Sequence, residues 1–137
     1  LVVEDDGDIR DFLVKLLRRL GYRVMEAADG PAAMEIMSVS AAIDLLLTDV
    51  IMPKGMSGRD VANVFCAKYP GARVLYSSGY AREVLDRRGA LEAGVTLLRK
   101  PYQARPLAHT VRQVLDGQAP LSCVPSAVAR TAPPIVN

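Results

Sequence analysis

Residues 43–49 have the sequence IDLLLTD, which predicts a strand over residues 43–48 with an acidic residue directly after it. A strand at the surface alternates apolar and polar side chains, because successive side chains point to opposite faces of the sheet. Leu45, Leu46 and Leu47 leave neither face of this strand polar. Such a strand belongs in the middle of a parallel sheet that is covered on both sides.

Strand-like and helical patterns alternate on both sides of this central strand. Ile9, Phe12, Leu13 and Leu16 follow the spacing of an amphipathic helix that ends before Gly21. The other predicted strands cover residues 1–3, 22–27, 74–76 and 95–98, and the other predicted helices cover 32–39, 58–69, 81–93 and 106–116. Five strand–helix units predict an α/β fold, a doubly wound five-stranded parallel sheet with helices on both faces.

The C-terminal segment differs in kind from the rest of the chain. Residues 117–137 contain four of the nine prolines, no acidic residue and no aromatic residue. Such a segment has little material for a core, and its prolines exclude a long helix. The sequence therefore predicts one domain over residues 1–116 and a proline-rich tail or linker over residues 117–137.

Composition narrows the classes of function. The chain has 137 residues, half of them apolar, and its 17 basic and 15 acidic residues give a net charge of +2. Half apolar residues suffice for a core, whereas a net charge this small argues against direct nucleic-acid binding through phosphate contacts. The apolar runs are too short for a membrane segment, and no export signal opens the chain, so a cytoplasmic location is expected.

Polar side chains follow four of the five predicted strands. Ligands of open parallel sheets bind outside the carboxyl ends of the strands, so these side chains are expected around one crevice. They are Glu4, Asp5 and Asp6 after the first strand, Asp49 after the third, Ser77 and Ser78 after the fourth, and Arg99 and Lys100 after the fifth. Asp6 and Asp8 are more simply explained as residues of the first helix N-terminus.

Carboxylates crowded in this way predict a cation and an anion at the same site. Like charges at short range repel unless a cation lies between them, and Mg²⁺ typically binds one or two carboxylates together with phosphate and water. Lys100 adds a fixed positive charge. A carboxylate such as Asp49 can also act as a nucleophile and become an aspartyl phosphate.

The motifs at the strand ends resemble those of the receiver domains of two-component response regulators, over roughly residues 1–116. The matching stretches are residues 3–6 (VEDD), residues 48–53 (TDVIMP) with Gly58, Ser78-Gly79 and Lys100-Pro101. Residues 75–80 (LYSSGY) are most similar to the receivers of hybrid sensor histidine kinases. The resemblance implies a flavodoxin-like fold with strand order 2-1-3-4-5.

The resemblance also implies a role for each site residue and a cofactor, Mg²⁺. Asp49 would accept a phosphoryl group from a phosphohistidine of a histidine kinase or a histidine phosphotransfer domain. Asp5, Asp49 and the backbone carbonyl of Ile51 would bind Mg²⁺, and Glu4 would act through water. Ser78 and Lys100 would bind phosphoryl oxygens, and the Lys100–Pro101 bond is expected to be cis.

The sequence departs from the family pattern in two places. Many receivers have an aromatic residue three positions before the lysine, and this residue is coupled to the site hydroxyl as a conformational switch. This chain has Leu97 at that position, so it lacks the aromatic part of that switch. The loop between Pro53 and Gly58 is one residue longer than is common. In addition, the large side chains of Ile51 and Tyr80 are expected to flank the site and to slow hydrolysis of the aspartyl phosphate by excluding water.

Two other functions remain open from the sequence. One is an interaction domain that works without phosphorylation, and the other is an aspartyl-phosphate hydrolase, which usually has a second acid where this chain has Ile51. The chain is not expected to be a turnover enzyme by itself, although such a receiver can be part of a hybrid histidine kinase. A homodimer through residues 81–93 and the fifth strand is a further option.

Overall fold

The computed structural model describes residues 1–52, 55–79 and 96–117. The strands are β1 (Val2–Val3), β2 (Glu26–Ala27), β3 (Leu45–Asp49), β4 (Arg73–Ser78) and β5 (Thr96–Arg99). The described helices are α1 (Gly7–Arg19), α2 (Gly30–Val39), α3 (Gly58–Lys68) and α4 (Ala104–Leu115). The strands form one parallel sheet in the order β2-β1-β3-β4-β5, which is the order that the family resemblance implied.

Strand β3 lies in the middle of the sheet, between β1 and β4, and both of its faces are covered. On one face, Leu46 packs in a cluster with Phe65 of α3 and Met37 of α2. On the other face, Leu47 packs in a cluster with Leu13 of α1 and Leu107 of α4. The leucine run therefore supplies core to both layers of helices, which is why it has no polar face.

Side chains cap the N-termini of α1 and α3, and the cap of α1 is a residue that the sequence predicted for that helix terminus. The Asp6 side chain accepts hydrogen bonds from the N–H groups of Asp8 and Ile9 at 2.9 and 3.1 Å and caps α1. Ser57 caps α3 and forms a reciprocal capping box with Asp60. Among the described helices, none is both long enough and apolar enough to cross a membrane.

Some element boundaries differ from the predictions for identifiable reasons. Strand β2 covers only two residues of the predicted 22–27, because it is an edge strand that pairs only with the equally short β1. Helix α4 begins at Ala104 rather than at Pro106. Proline is tolerated there because the first N–H groups of a helix have no partner within the helix. The predicted helix 81–93, Pro53, Tyr80 and residues 118–137 of the predicted tail lie outside the described residues.

Candidate functional site

The carboxyl ends of β1, β3 and β5 bring three charged side chains together. The Lys100 Nζ atom lies 2.9 Å from Asp49 Oδ2 and 3.1 Å from Glu4 Oε2. These side chains come from positions far apart in the sequence, and the central place of β3 makes them neighbours. The Glu4, Asp49 and Lys100 side chains are 2%, 12% and 20% exposed, so the ion pairs are largely shielded from water.

Burial and charge act in opposite directions on these groups. Burial raises the pKa of Glu4, while Lys100 and the backbone N–H of Asp6 act to lower it. Burial would lower the pKa of Lys100, but its hydrogen bond to Asp49 and the negative charges of Asp49 and Glu4 outweigh burial and raise the pKa above its ordinary value. Lys100 is therefore an ammonium group throughout the physiological pH range.

A group of carboxylates beside this lysine can hold a metal ion. Oxygen atoms of Glu4, Asp5 and Asp49 all lie within 4.8 Å of one another, and Asp5 is the exposed member. The buried Glu4 Oε2 atom lies near Lys100 Nζ, but the two are not aligned as a hydrogen bond. Hard oxygen donors with unused lone pairs suit Mg²⁺, so the residues present fit the metal that the sequence predicted.

The end of β4 adds two serines to the edge of the site. Ser77 is the register partner of Asp49, and Ser77 and Ser78 are both 1% exposed. The carbonyl of Ser78 accepts a hydrogen bond of 3.1 Å from the Lys100 N–H, which fixes the ends of β4 and β5 against each other. Ser77 Oγ is hydrogen-bonded to the hydroxyl of Tyr102.

The first residue of α3 lies close to the backbone at the end of β3. The N–H of Gly58 donates to the carbonyl of Val50 at 2.8 Å, and the N–H of Val50 donates to the carbonyl of Ser77 at 3.1 Å. A Cβ atom at position 58 would lie 1.9 Å from the carbonyl oxygen of Asp49, closer than atoms can approach. Glycine at position 58 is therefore required by the path of the backbone next to Asp49.

The structure brings together most of the residues that the sequence predicted for the site. Glu4, Asp5, Asp49 and Lys100 form one cluster, and Ser78 lies at the adjoining strand end. The Lys100–Pro101 bond is cis, as predicted. Ile51 follows β3 with its side chain 62% exposed, and the metal-binding role of its carbonyl stays a prediction.

Sequence reasoning did not single out Tyr102 as part of this site. Its hydroxyl meets Ser77, one residue from Ser78, and the ring packs with the buried cluster beneath α4. The sequence feature that could have indicated Tyr102 is its position two residues after Lys100, in a chain with few aromatic residues. Position alone did not indicate which strand the hydroxyl would reach.

The fold and the cluster define a doubly wound domain that carries acids and one lysine at the carboxyl edge of its sheet. The model of the response regulator receiver domain family matches residues 1–112. The chain belongs to this family, and it is a receiver domain of two-component systems. The predicted family and the predicted fold are both confirmed.

The sequence of this chain is similar to proteins of more than one kind that contain a receiver domain. It is 34% identical over 119 residues to the sensor kinase CckA of Brucella abortus (strain 2308), matching 86% of this chain but only 12% of that protein. It is 32% identical over 115 residues to the response regulator receiver protein CpdR of the same organism, matching 84% of this chain and 94% of CpdR. The similarity therefore extends both to part of a large kinase and to a nearly complete small protein.

Solved structures give the same assignment. The receiver domain of the hybrid histidine kinase CckA is 39% identical, with a TM-score of 0.64 over 83% of this chain and 95% of that one. A response regulator receiver protein from Sinorhizobium medicae WSM419 is 25% identical, with a TM-score of 0.73 over 85% of this chain and 93% of that one. The predicted resemblance to hybrid-kinase receivers agrees with the similarity to CckA.

Proposed function

We propose that Asp49 accepts a phosphoryl group from a phosphohistidine on a histidine kinase or a histidine phosphotransfer domain. The observation that carries this proposal is the position of Lys100, whose ammonium lies between the carboxylates of Asp49 and Glu4. An ammonium held there pairs with the acceptor before transfer and remains beside the negative charge that transfer adds. Catalysis of phosphoryl transfer consists largely of such positioning and charge stabilisation.

Glu4, Asp5 and Asp49, with the backbone carbonyl of Ile51, would hold Mg²⁺ beside the acceptor, and Glu4 would act through water. Their carboxylate oxygens are close enough together for one ion. When bound, the metal supplies positive charge that offsets the charge on the transferring phosphoryl group. Asp5 is the exposed member of the group, which leaves the site open on the side from which a partner would deliver phosphate.

The transfer itself involves one bond formed and one broken. A carboxylate oxygen of Asp49 attacks the phosphorus, and the bond from phosphorus to the partner's imidazole nitrogen breaks with its electron pair on the nitrogen. Lys100 then pairs with a phosphoryl oxygen, and the hydroxyl of Ser78 binds another. Ser78 lies on the strand adjoining β3, and its carbonyl is tied to Lys100, so the two groups are positioned together.

Phosphorylation would act on partners by a shift of population between conformations. The added charge favours a conformation in which Ser78 moves toward the phosphoryl group, and the face near β5 changes with it. We assign residues 1–116 to this cytoplasmic module and residues 117–137 to a tail or linker, in a parent protein that includes a histidine kinase. The alternatives of a hydrolase and of a phosphorylation-independent domain have no comparable support among the described residues.

Binding of beryllofluoride, a stable analogue of the phosphoryl group, tests the proposal. With Mg²⁺ present, we expect saturable binding and chemical-shift changes in the amide spectrum at residues near Asp49, Ser78 and Lys100. Without Mg²⁺, the same titration should leave the spectrum unchanged. An amide spectrum that does not change on addition of beryllofluoride in the presence of Mg²⁺ would refute the function proposed here.

Removing the exposed carboxylate is expected to weaken metal binding. The substitution Asp5→Asn should reduce the affinity for Mg²⁺ by about tenfold, because it takes one negative charge from a three-carboxylate cluster. Isothermal titration calorimetry measures the change. Asp8→Asn is the matched control, since Asp8 lies in the first turn of α1. Equal Mg²⁺ affinity in the Asp5 variant and the wild type would exclude Asp5 as a ligand.

The side chain of Ile51 is expected to slow loss of the phosphoryl group. We predict that Ile51→Asn speeds hydrolysis of the phosphorylated chain severalfold, because an amide can hold the attacking water that an apolar side chain excludes. The decay of label after removal of the phosphodonor gives the rate. Val39→Asn serves as control because it replaces another exposed apolar side chain, at the C-terminal end of α2. An unchanged decay rate for Ile51→Asn would contradict this role.

A further inference from the structure

A hydroxyl pair joins the end of β4 to the segment that follows β5. Ser77 Oγ and the Tyr102 hydroxyl are hydrogen-bonded to each other, and Ser77 is 1% exposed. The Tyr102 ring packs against the buried cluster formed by α1, α4 and one face of the sheet. The hydroxyls therefore meet in a partly buried position, where a hydrogen bond is lost to water less easily than at the surface.

Each member of this pair is close in sequence to a residue proposed to bind the phosphoryl group. Ser77 directly precedes Ser78, and Tyr102 follows Lys100 by two residues. Side chains of consecutive strand residues point to opposite faces of the sheet. Ser77 therefore points to the face on which Tyr102 lies, and Ser78 points to the other face. The N–H of Lys100 also donates to the carbonyl of Ser78, and the hydroxyl pair adds a side-chain tie to this backbone tie.

Burial keeps the Tyr102 hydroxyl protonated. Burial raises the pKa of Tyr102 to about 12, while the hydrogen bond between Tyr102 and Ser77 and the charge of Lys100 act to lower it. Near neutral pH the phenol is therefore uncharged and can both donate and accept a hydrogen bond. The tie to Ser77 is available under all conditions in which the domain would be phosphorylated.

We propose that Tyr102 is a positioning residue, which acts through Ser77 to hold Ser78 and Lys100 at the spacing that a phosphoryl group requires. The inference rests on the proposed function and adds a residue pair to it. Small errors in the position of binding groups reduce phosphoryl transfer strongly, because the groups act by placement more than by their own chemistry. A tie between the two strand ends limits such errors.

The test compares beryllofluoride binding by the wild type, Tyr102→Phe, Ser77→Ala and the double variant, at saturating Mg²⁺. Loss of either hydroxyl should raise the concentration for half saturation about fivefold. The double variant should be no worse than either single variant, because both remove the same bond. Affinity for Mg²⁺ alone should stay at the wild-type value, since neither hydroxyl belongs to the carboxylate cluster.

Tyr22→Phe is the matched control, because the Tyr22 hydroxyl accepts a hydrogen bond from Arg112 of α4 and, among the described residues, is bonded to none of the phosphoryl site. This variant should bind beryllofluoride as the wild type does. Thermal melting of every variant separates a fall in stability from a change in the site. If Tyr102→Phe does not fold, Ser77→Ala supplies the same comparison.

The outcomes separate this inference from the proposed function. Failure of the wild type to bind beryllofluoride would refute both. Normal binding by the wild type and by both single variants would overturn the positioning role alone. An equal loss of Mg²⁺ and beryllofluoride affinity, or additive losses in the double variant, would also overturn it, because either result indicates general damage to the domain.

Discussion

Replacement of Asp49 by asparagine is expected to abolish phosphorylation of the chain. The amide of asparagine is uncharged and cannot form an acyl phosphate by nucleophilic attack. Position 49 therefore cannot accept a phosphoryl group in this variant. The shape of the side chain is nearly unchanged, and Lys100 keeps Glu4 as a partner, so the fold should persist. Incorporation of label from radioactive acetyl phosphate, with Mg²⁺ present, should fall below detection.

A control separates the acceptor from the other acids of the chain. Asp11→Asn removes an exposed carboxylate of α1 that pairs only with Lys15 among the described residues, at 2.7 Å, and should be labelled as the wild type is. The amide spectrum of Asp49→Asn checks that the domain remains folded. Wild-type labelling of a folded Asp49→Asn variant would mean that another residue accepts the phosphoryl group.

Substitution of Gly58 by alanine is expected to have the largest effect on the fold. The new methyl group would lie 1.9 Å from the Asp49 carbonyl oxygen and 3.1 Å from Val50 Cα, and both are backbone atoms that cannot rotate away. Either α3 or the end of β3 must move. We expect the free energy of unfolding to fall by about 3 kcal/mol, as measured by denaturant titration.

The same substitution should also impair the site, because the displaced backbone carries the acceptor. Beryllofluoride binding should weaken in Gly58→Ala even under conditions in which the chain stays folded. Gly71→Ala is the control, since a Cβ atom there would meet nothing within 4 Å. A Gly58→Ala variant with the stability and beryllofluoride affinity of the wild type would show that the close approach to Asp49 does not constrain the backbone.

Much of the site could be predicted from the sequence because its residues lie at strand ends. The leucine run of residues 45–47 predicted a central strand, and in a parallel sheet the residue after such a strand lies at the same edge as its neighbours. The strand pattern alone therefore predicts that Asp49 lies near Glu4 and Lys100, and the observed distances agree. The composition gave no such information, because a net charge of +2 hides a local group of acids.

The remaining features depend on contacts between segments, which sequence periodicity does not report. The Ser77–Tyr102 hydrogen bond requires knowledge of which way each side chain points from adjoining strand ends. The need for glycine at position 58 depends on how closely α3 passes the Asp49 carbonyl. The predicted length of β2 was too large for a similar reason. An alternating pattern indicates one buried face of a strand, but it does not indicate where backbone pairing stops.

Identification of the residue that carries the phosphoryl group tests the proposed function of Asp49 most sharply. After reaction with acetyl phosphate and Mg²⁺, borohydride reduction converts a phosphoaspartate to homoserine, and peptide mass spectrometry then identifies its position. We expect a single modified position, Asp49, whose modification disappears when Mg²⁺ is removed. Homoserine at any other aspartate, or a chain left wholly unmodified, would contradict the proposed function.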